Sequence, residues 1–118
     1  MKRYFLAFSL ILLLSSCDSS TYESLEEPQI FVGKATYETN VKPIIDGNCI
    51  SCHSLGGSAS FRPLTTFSEV RNAILNSNLL ERIQRQNGEP GQMPQTGRMS
   101  QDKINTIIQW NTDGLLEN

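Results

Sequence analysis

Two cysteines and a histidine stand close together in this 118-residue chain, in the order Cys49-Ile50-Ser51-Cys52-His53. His53 is the only histidine of the chain. A two-residue gap spaces two thiols so that they can add across the two vinyl groups of one porphyrin, and the imidazole that follows is then held beneath the iron. The C-x-x-C-H pattern therefore predicts one covalent haem c on Cys49 and Cys52, with His53 as the proximal axial ligand.

The N-terminal residues predict export and lipid attachment. A short basic start precedes an apolar run over residues 4–14, which is shorter than the ~20 residues that a membrane-spanning helix needs. Two serines then separate Leu14 from Cys17. This order resembles the lipobox of bacterial lipoproteins, which implies that residues 1–16 are a removed signal peptide and that Cys17 carries the lipid. The alternative is an ordinary signal peptide with an unrelated cysteine nearby.

These assignments account for all 3 cysteines. Since haem c is attached outside the cytoplasm, an exported chain suits the haem motif. We expect a protein anchored by lipid to a bacterial membrane and facing the periplasm or the cell surface. The formal net charge of −2 provides no electrostatic footprint for nucleic acid.

The chain is long enough for one domain. Residues 17–33 are rich in acidic and small polar side chains and read as a flexible tether. Residues 34–118 form the predicted folded domain, which we expect to be monomeric.

Short apolar stripes separated by Gly, Pro and Ser predict helices within this domain. A first helix is expected over residues 36–46, in which Pro43 is either a first-turn residue or the site of a kink. Thr66 and Glu69 form a capping-box pattern ahead of a second helix. A third is expected over residues 79–86, and Ser100 is expected to cap the last.

No segment alternates convincingly with period two, so the chain predicts an all-α fold of about four to five short helices with long loops. A domain this small has a limited apolar core. A haem at its centre would supply the missing apolar contacts, and we expect poor folding without it.

The folded part resembles the small exported domains of single-haem cytochromes c. The matching segments are Val41-Lys42-Pro43-Ile44-Ile45, the C-x-x-C-H motif, Met93-Pro94 and residues 104–110 of the last helix. The resemblance covers residues 36–114. It implies a few helices around one haem and a role as a one-electron carrier that exchanges electrons with redox partner proteins, rather than as an enzyme.

The resemblance also implies a sixth ligand to the iron, usually a methionine thioether from a downstream loop. Met93 is the expected distal ligand because it lies before a proline in a stiff loop. Met99 is the second candidate, although it could instead pack against the last helix. The family further implies that a backbone carbonyl after the haem motif accepts from His53, and Pro63 is the expected residue.

Three other functions remain open on sequence grounds. Cys49 and Cys52 could act as a dithiol redox pair, although that chemistry is expected in a βαβ setting. A zinc module would need four closed ligands. A haem without a methionine ligand would have an open face, as in a gas-binding protein or a sensor.

Overall fold

The computed structural model describes residues 32–118, so the predicted signal peptide, Cys17 and most of the predicted tether lie outside the described residues. A π-helical turn, Tyr37–Val41, leads into four α-helices. These are α1 (Lys42–Asn48), α2 (Phe67–Asn76), α3 (Leu79–Gln84) and α4 (Gln101–Thr112). The described part of the chain contains no strand beyond a single parallel bridge between Thr36 and Leu116, which agrees with the predicted all-α class.

The predicted first helix is present, but its winding changes partway along. The π-helical turn passes directly into α1, whose N-cap is Val41 and whose first turn contains Pro43. Proline is tolerated there because the first turn of a helix needs no backbone N–H donor. Pro43 is therefore a first-turn residue, and α1 begins at Lys42. Asn40 instead accepts a hydrogen bond from the Thr36 backbone N–H through its Oδ1 atom (2.9 Å).

The predicted capping box at the start of α2 is confirmed. The Glu69 backbone N–H donates to the Thr66 hydroxyl (3.3 Å), and the Glu69 carboxylate accepts from the Thr66 backbone N–H (3.0 Å). The same carboxylate oxygen also accepts from the backbone N–H (2.7 Å) and hydroxyl (2.8 Å) of Thr65. These bonds satisfy N–H groups that have no partner inside the helix.

Hydrogen bonds from Thr65 lower the pKa of the Glu69 carboxyl below its ordinary value. The stabilisation is therefore present above the unfolded-state pKa of about 4.3 and is lost as the pH falls through the lower folded-state value. Glu69→Gln should lower the free energy of unfolding at pH 7 by about 0.5–1 kcal/mol, because the site is largely solvated and loses a charged acceptor. The dependence of that free energy on pH between pH 5 and pH 2 should also become shallower.

Denaturant unfolding of the holoprotein, followed by circular dichroism across that pH range, measures both effects. Glu38→Gln is the matched control because Glu38 is exposed on the π-helical turn. A Glu69→Gln protein that is as stable and as acid-sensitive as the wild type would contradict this account of the capping box.

Helix α4 supplies much of the core, as its apolar stripe predicts. Ile104, Ile107 and Trp110 are fully buried. Ser100 occupies the predicted N-cap position, but its side chain makes no capping hydrogen bond, so the prediction of a side-chain cap is wrong. Ser100 provides only its carbonyl, which accepts from the Ile104 backbone N–H (3.3 Å).

The two ends of the domain are joined around an aromatic cluster. Tyr37, Phe67 and Trp110 pack with ring centroids 5.5–6.2 Å apart. The Tyr37 backbone N–H donates to the Leu116 carbonyl (2.8 Å), which also accepts from the Trp110 indole N–H (2.7 Å). The Ala35 backbone N–H donates to the Asp113 carboxylate (2.7 Å). These contacts place the π-helical turn against the C-terminal end of α4.

Candidate haem site

A cavity of about 920 Å³ lies between helices α1, α2, α3 and α4 and the loops that connect them. It brings together every predicted haem-site residue within the described part of the chain: Cys49, Cys52, His53, Pro63, Met93 and Met99. Apolar side chains from several elements also line it, among them Ile45, Leu64, Ala73, Leu79, Ile83 and Ile107, and Glu69 and Arg82 are charged residues in the lining. A volume near the upper end of the ~300–1,000 Å³ typical of ligand sites suits a large flat cofactor.

The C-x-x-C-H segment is wound tightly at the end of α1. The Cys49 backbone N–H donates to the Ile45 carbonyl (2.8 Å), which continues the helical pattern by one residue. The Cys49 carbonyl then accepts from the backbone N–H groups of Cys52 (3.2 Å) and His53 (3.0 Å). This turn places Cys49, Cys52 and His53 in the lining of the same cavity.

The backbone carbonyl that meets the His53 ring belongs to Arg62, so the prediction of Pro63 is wrong by one residue. His53 Nδ1 lies 2.7 Å from the Arg62 carbonyl oxygen. A backbone hydrogen bond sets how residues 62–64 align with His53. The Leu64 N–H donates to the His53 carbonyl (2.9 Å), which places Leu64 beside His53. The ring then reaches the carbonyl that precedes Pro63, while Pro63 itself lines the cavity.

This contact orients the His53 ring. A carbonyl oxygen can only accept, so Nδ1 is the donor and Nε2 is the ring nitrogen left for another partner. Metal-bound histidines commonly have this arrangement, in which a bond from one ring nitrogen sets the orientation and raises the basicity of the other. If His53 binds a metal, Nε2 is therefore the nitrogen that can do so.

The loop after His53 closes on the Cys52 backbone. The Ala59 N–H donates to the Cys52 carbonyl (2.9 Å), and Gly57 lies so close to that carbonyl that a Cβ atom would overlap its oxygen and carbon. The close approach requires glycine, since the neighbouring atoms are backbone and cannot rotate away.

Gly57→Ala should therefore push the loop away from Cys52 and destabilise the holoprotein by about 1–3 kcal/mol, the usual range for inserting a methyl group into packed structure. Gly47→Ala is the matched control, because a Cβ at Gly47 meets nothing within 4 Å and alanine favours the helix that contains it. Thermal unfolding of both variants measures the difference. Equal melting temperatures for the two would rule out this requirement for glycine.

The two thiols of the described residues are not joined in a disulfide. Burial raises the pKa of the Cys49 thiol to about 11, so at neutral pH it is protonated rather than the thiolate that dithiol exchange needs. Within residues 32–118, no three or more His, Cys, Asp or Glu side chains are grouped so that they could hold a metal ion. The geometry of this part of the chain favours neither a dithiol site nor a closed zinc site.

Met93 lies in the loop between α3 and α4, and α3 holds this loop in place. The Met93 backbone N–H donates to the Arg82 carbonyl (3.1 Å), and the Arg82 side chain donates to the Gly91 carbonyl (3.3 Å). The Arg85 side chain donates to the Pro90 carbonyl and pairs with Glu81 (2.5 Å). Sequence reasoning missed both arginines, because their three-residue spacing within and just after a short helix is also typical of a solvated face.

Met99 differs from Met93 in its surroundings. Its side chain is only 5% exposed and belongs to the hydrophobic core, as expected of a residue that packs at the start of the last helix. Met93 is half-buried and comes from a loop rather than an apolar helical face. Both methionines nevertheless line the cavity.

Comparison with known proteins bears on the N-terminus. The family model of the prokaryotic membrane lipoprotein lipid attachment site matches residues 1–17, which includes Cys17. The chain has the N-terminus of a bacterial lipoprotein. This match supports a lipid-anchored location at a bacterial membrane, and in residues 32–118 no helix is both long and apolar enough to cross a bilayer. No curated protein and no solved structure matches the chain.

Proposed function

We propose that this lipoprotein is a monohaem c-type cytochrome that carries single electrons at the membrane surface. The observation that carries the proposal is the cavity in which Cys49, Cys52, His53 and Met93 meet. A covalently attached, six-coordinate haem needs two thiols to bind the porphyrin and two groups to bind the iron. Cys49 and Cys52 would supply the thiols, and the His53 imidazole and Met93 thioether would bind the iron. The cytochrome assignment rests on this donor set and on the C-x-x-C-H motif.

The residues fit haem c on three physical grounds. The cavity is large enough and mainly apolar, which suits a flat macrocycle. The hydrogen bond from His53 Nδ1 to the Arg62 carbonyl orients the imidazole and leaves Nε2 as the nitrogen available to the iron. Cys49 and Cys52 are not joined in a disulfide and both line the cavity, so both sulfurs are available to form thioether bonds with the vinyl groups.

Haem c would supply exchange of one electron between ferric and ferrous iron. Cys49 and Cys52 would fix the cofactor by thioether bonds, and His53 and Met93 would bind its iron. A neutral thioether ligand from Met93 would favour the ferrous state and raise the reduction potential. Residues of the loop after His53 and of the loop around Met93 line the cavity and would limit the access of water to the cofactor.

The lipid on Cys17 and the residues that follow it would keep the domain near the membrane while leaving it free to turn towards redox partner proteins. Export to the periplasm or the cell surface is part of the proposal, because haem attachment takes place outside the cytoplasm. The domain is proposed to act as a monomer.

A spectroelectrochemical titration tests electron transfer itself. The full chain, with its signal, is expressed in a host that matures c-type cytochromes, and the haem absorbance is followed against applied potential. We expect a reversible one-electron transition and no binding of carbon monoxide by the ferrous protein at low gas pressure. Ready carbon monoxide binding would favour a five-coordinate sensor or gas-binding protein instead. A chain with no redox-active chromophore would overturn the cytochrome proposal.

A further inference from the structure

Gln92 is a buried polar residue directly before Met93, and its side-chain amide is fully engaged. The side chain is 8% exposed. Its Oε1 accepts from the Gly88 backbone N–H (2.9 Å), and its Nε2 donates to Asn87 Oδ1 (3.0 Å) and to the Pro94 carbonyl (3.2 Å). One amide therefore bonds to the chain on both sides of Met93.

The network extends beyond Gln92. Asn87 Oδ1 also accepts from the Arg98 backbone N–H (2.8 Å), near the end of the loop. Gln92 and Asn87 together thus connect the start, the middle and the end of the segment that contains Met93. These bonds lie within the loop, and they are separate from the bonds that Arg82 and Arg85 make to it from α3.

We infer that Gln92 is a positioning residue, which holds the loop closed so that the Met93 thioether stays at the cavity. The inference rests on the proposed function, because it assigns Gln92 a role in ligating the haem iron. Without the amide, the loop loses three part-buried hydrogen bonds that tie Asn87, Gly88 and Pro94 to the buried position 92. The loop then opens more often, and the sixth position on the iron becomes accessible.

The first test uses Gln92→Leu in the holoprotein, with imidazole as the probe. Imidazole binds ferric haem only after the methionine has left, so its binding rate reports loop opening. We expect the rate to rise about 10- to 100-fold, as the loss of two or three part-buried hydrogen bonds implies, and the near-infrared band of methionine-bound ferric haem to weaken. Gln86→Ala is the control, because Gln86 is an exposed residue in the same loop.

A second variant keeps the inference testable if Gln92→Leu does not accumulate. In Gln92→Glu, a protonated carboxyl can accept from Gly88 and donate one hydrogen bond, whereas a carboxylate faces two acceptors, Asn87 Oδ1 and the Pro94 carbonyl. The near-infrared band should therefore be strong at low pH and fade as the introduced carboxyl ionises. The charged groups that bond to this loop or belong to it are Arg82, Arg85, Glu89 and Arg98.

The wild type is measured over the same pH range. Its near-infrared band should not change with the ionisation of the carboxyl introduced in Gln92→Glu, because the wild type has an amide at that position. Normal imidazole kinetics in Gln92→Leu, or a band in Gln92→Glu that tracks the wild type at every pH, would overturn the role of Gln92. A wild-type protein that has covalent haem but no methionine band would instead refute Met93 ligation, and with it the role of Gln92. Failure of the proposed role of Gln92 would therefore be seen in the Gln92 variants, whereas failure of Met93 ligation would be seen in the wild type.

Discussion

Replacing Cys49 and Cys52 together by serine should abolish haem attachment and leave a domain that does not fold. The cavity of about 920 Å³ is open on one side and is lined mainly by apolar side chains, so loss of the cofactor would leave those side chains facing water. It would also remove packing contacts from the helices around the cavity, in a domain whose typical stability is only about 5–15 kcal/mol.

Haem staining after denaturing electrophoresis and far-ultraviolet circular dichroism measure the two parts of this prediction. Ser51→Ala is the matched control, since it changes the same turn and leaves the C-x-x-C-H pattern intact. The control should retain haem and helicity. A double variant that keeps wild-type helicity and stability without haem would show that the cavity does not need a cofactor.

Replacing Met93 by alanine should remove the sixth ligand from the iron. We expect the near-infrared band of the ferric protein to disappear and the reduction potential to fall by on the order of 0.1 V or more, within the roughly 0.8 V range that axial ligands control. Carbon monoxide should then bind the ferrous protein readily. Visible spectroscopy and a potentiometric titration of the purified holoprotein measure these changes.

Met99→Ala provides the contrasting result. Met99 is a core residue, so its truncation should lower the free energy of unfolding by about 2–5 kcal/mol while the near-infrared band persists. The reverse pattern, with the band lost in Met99→Ala and kept in Met93→Ala, would assign the sixth ligand to Met99. The two variants together separate ligation from packing at this end of the cavity.

The sequence predicts those features whose signals are local. The capping box at Thr66 and Glu69 and the apolar stripe of α4 follow from residue types at fixed spacings, and both are present. The C-x-x-C-H motif likewise predicts that two thiols and an imidazole share one face, because a tight turn leaves few alternatives. In the structure, Cys49, Cys52 and His53 all line one cavity.

Other features depend on long-range register, which spacing along the chain does not specify. The carbonyl that accepts from His53 Nδ1 belongs to Arg62 rather than Pro63. The hydrogen bond from the Leu64 backbone N–H to the His53 carbonyl aligns the two loop segments in this way. The burial of Gln92 also could not be predicted from the sequence. An isolated glutamine in a Gly- and Pro-rich loop usually faces solvent, and only the fold shows that it is buried.

The most direct test of the central claim is a reduced-minus-oxidised visible spectrum of the full chain from a cytochrome c-maturing host, followed by denaturation and removal of unbound cofactor. A c-type cytochrome should have a sharp α-band, and the haem should stay with the denatured chain because Cys49 and Cys52 hold it by thioether bonds. A folded, colourless protein, or one whose haem is lost on denaturation, would contradict the assignment of this cavity to covalent haem.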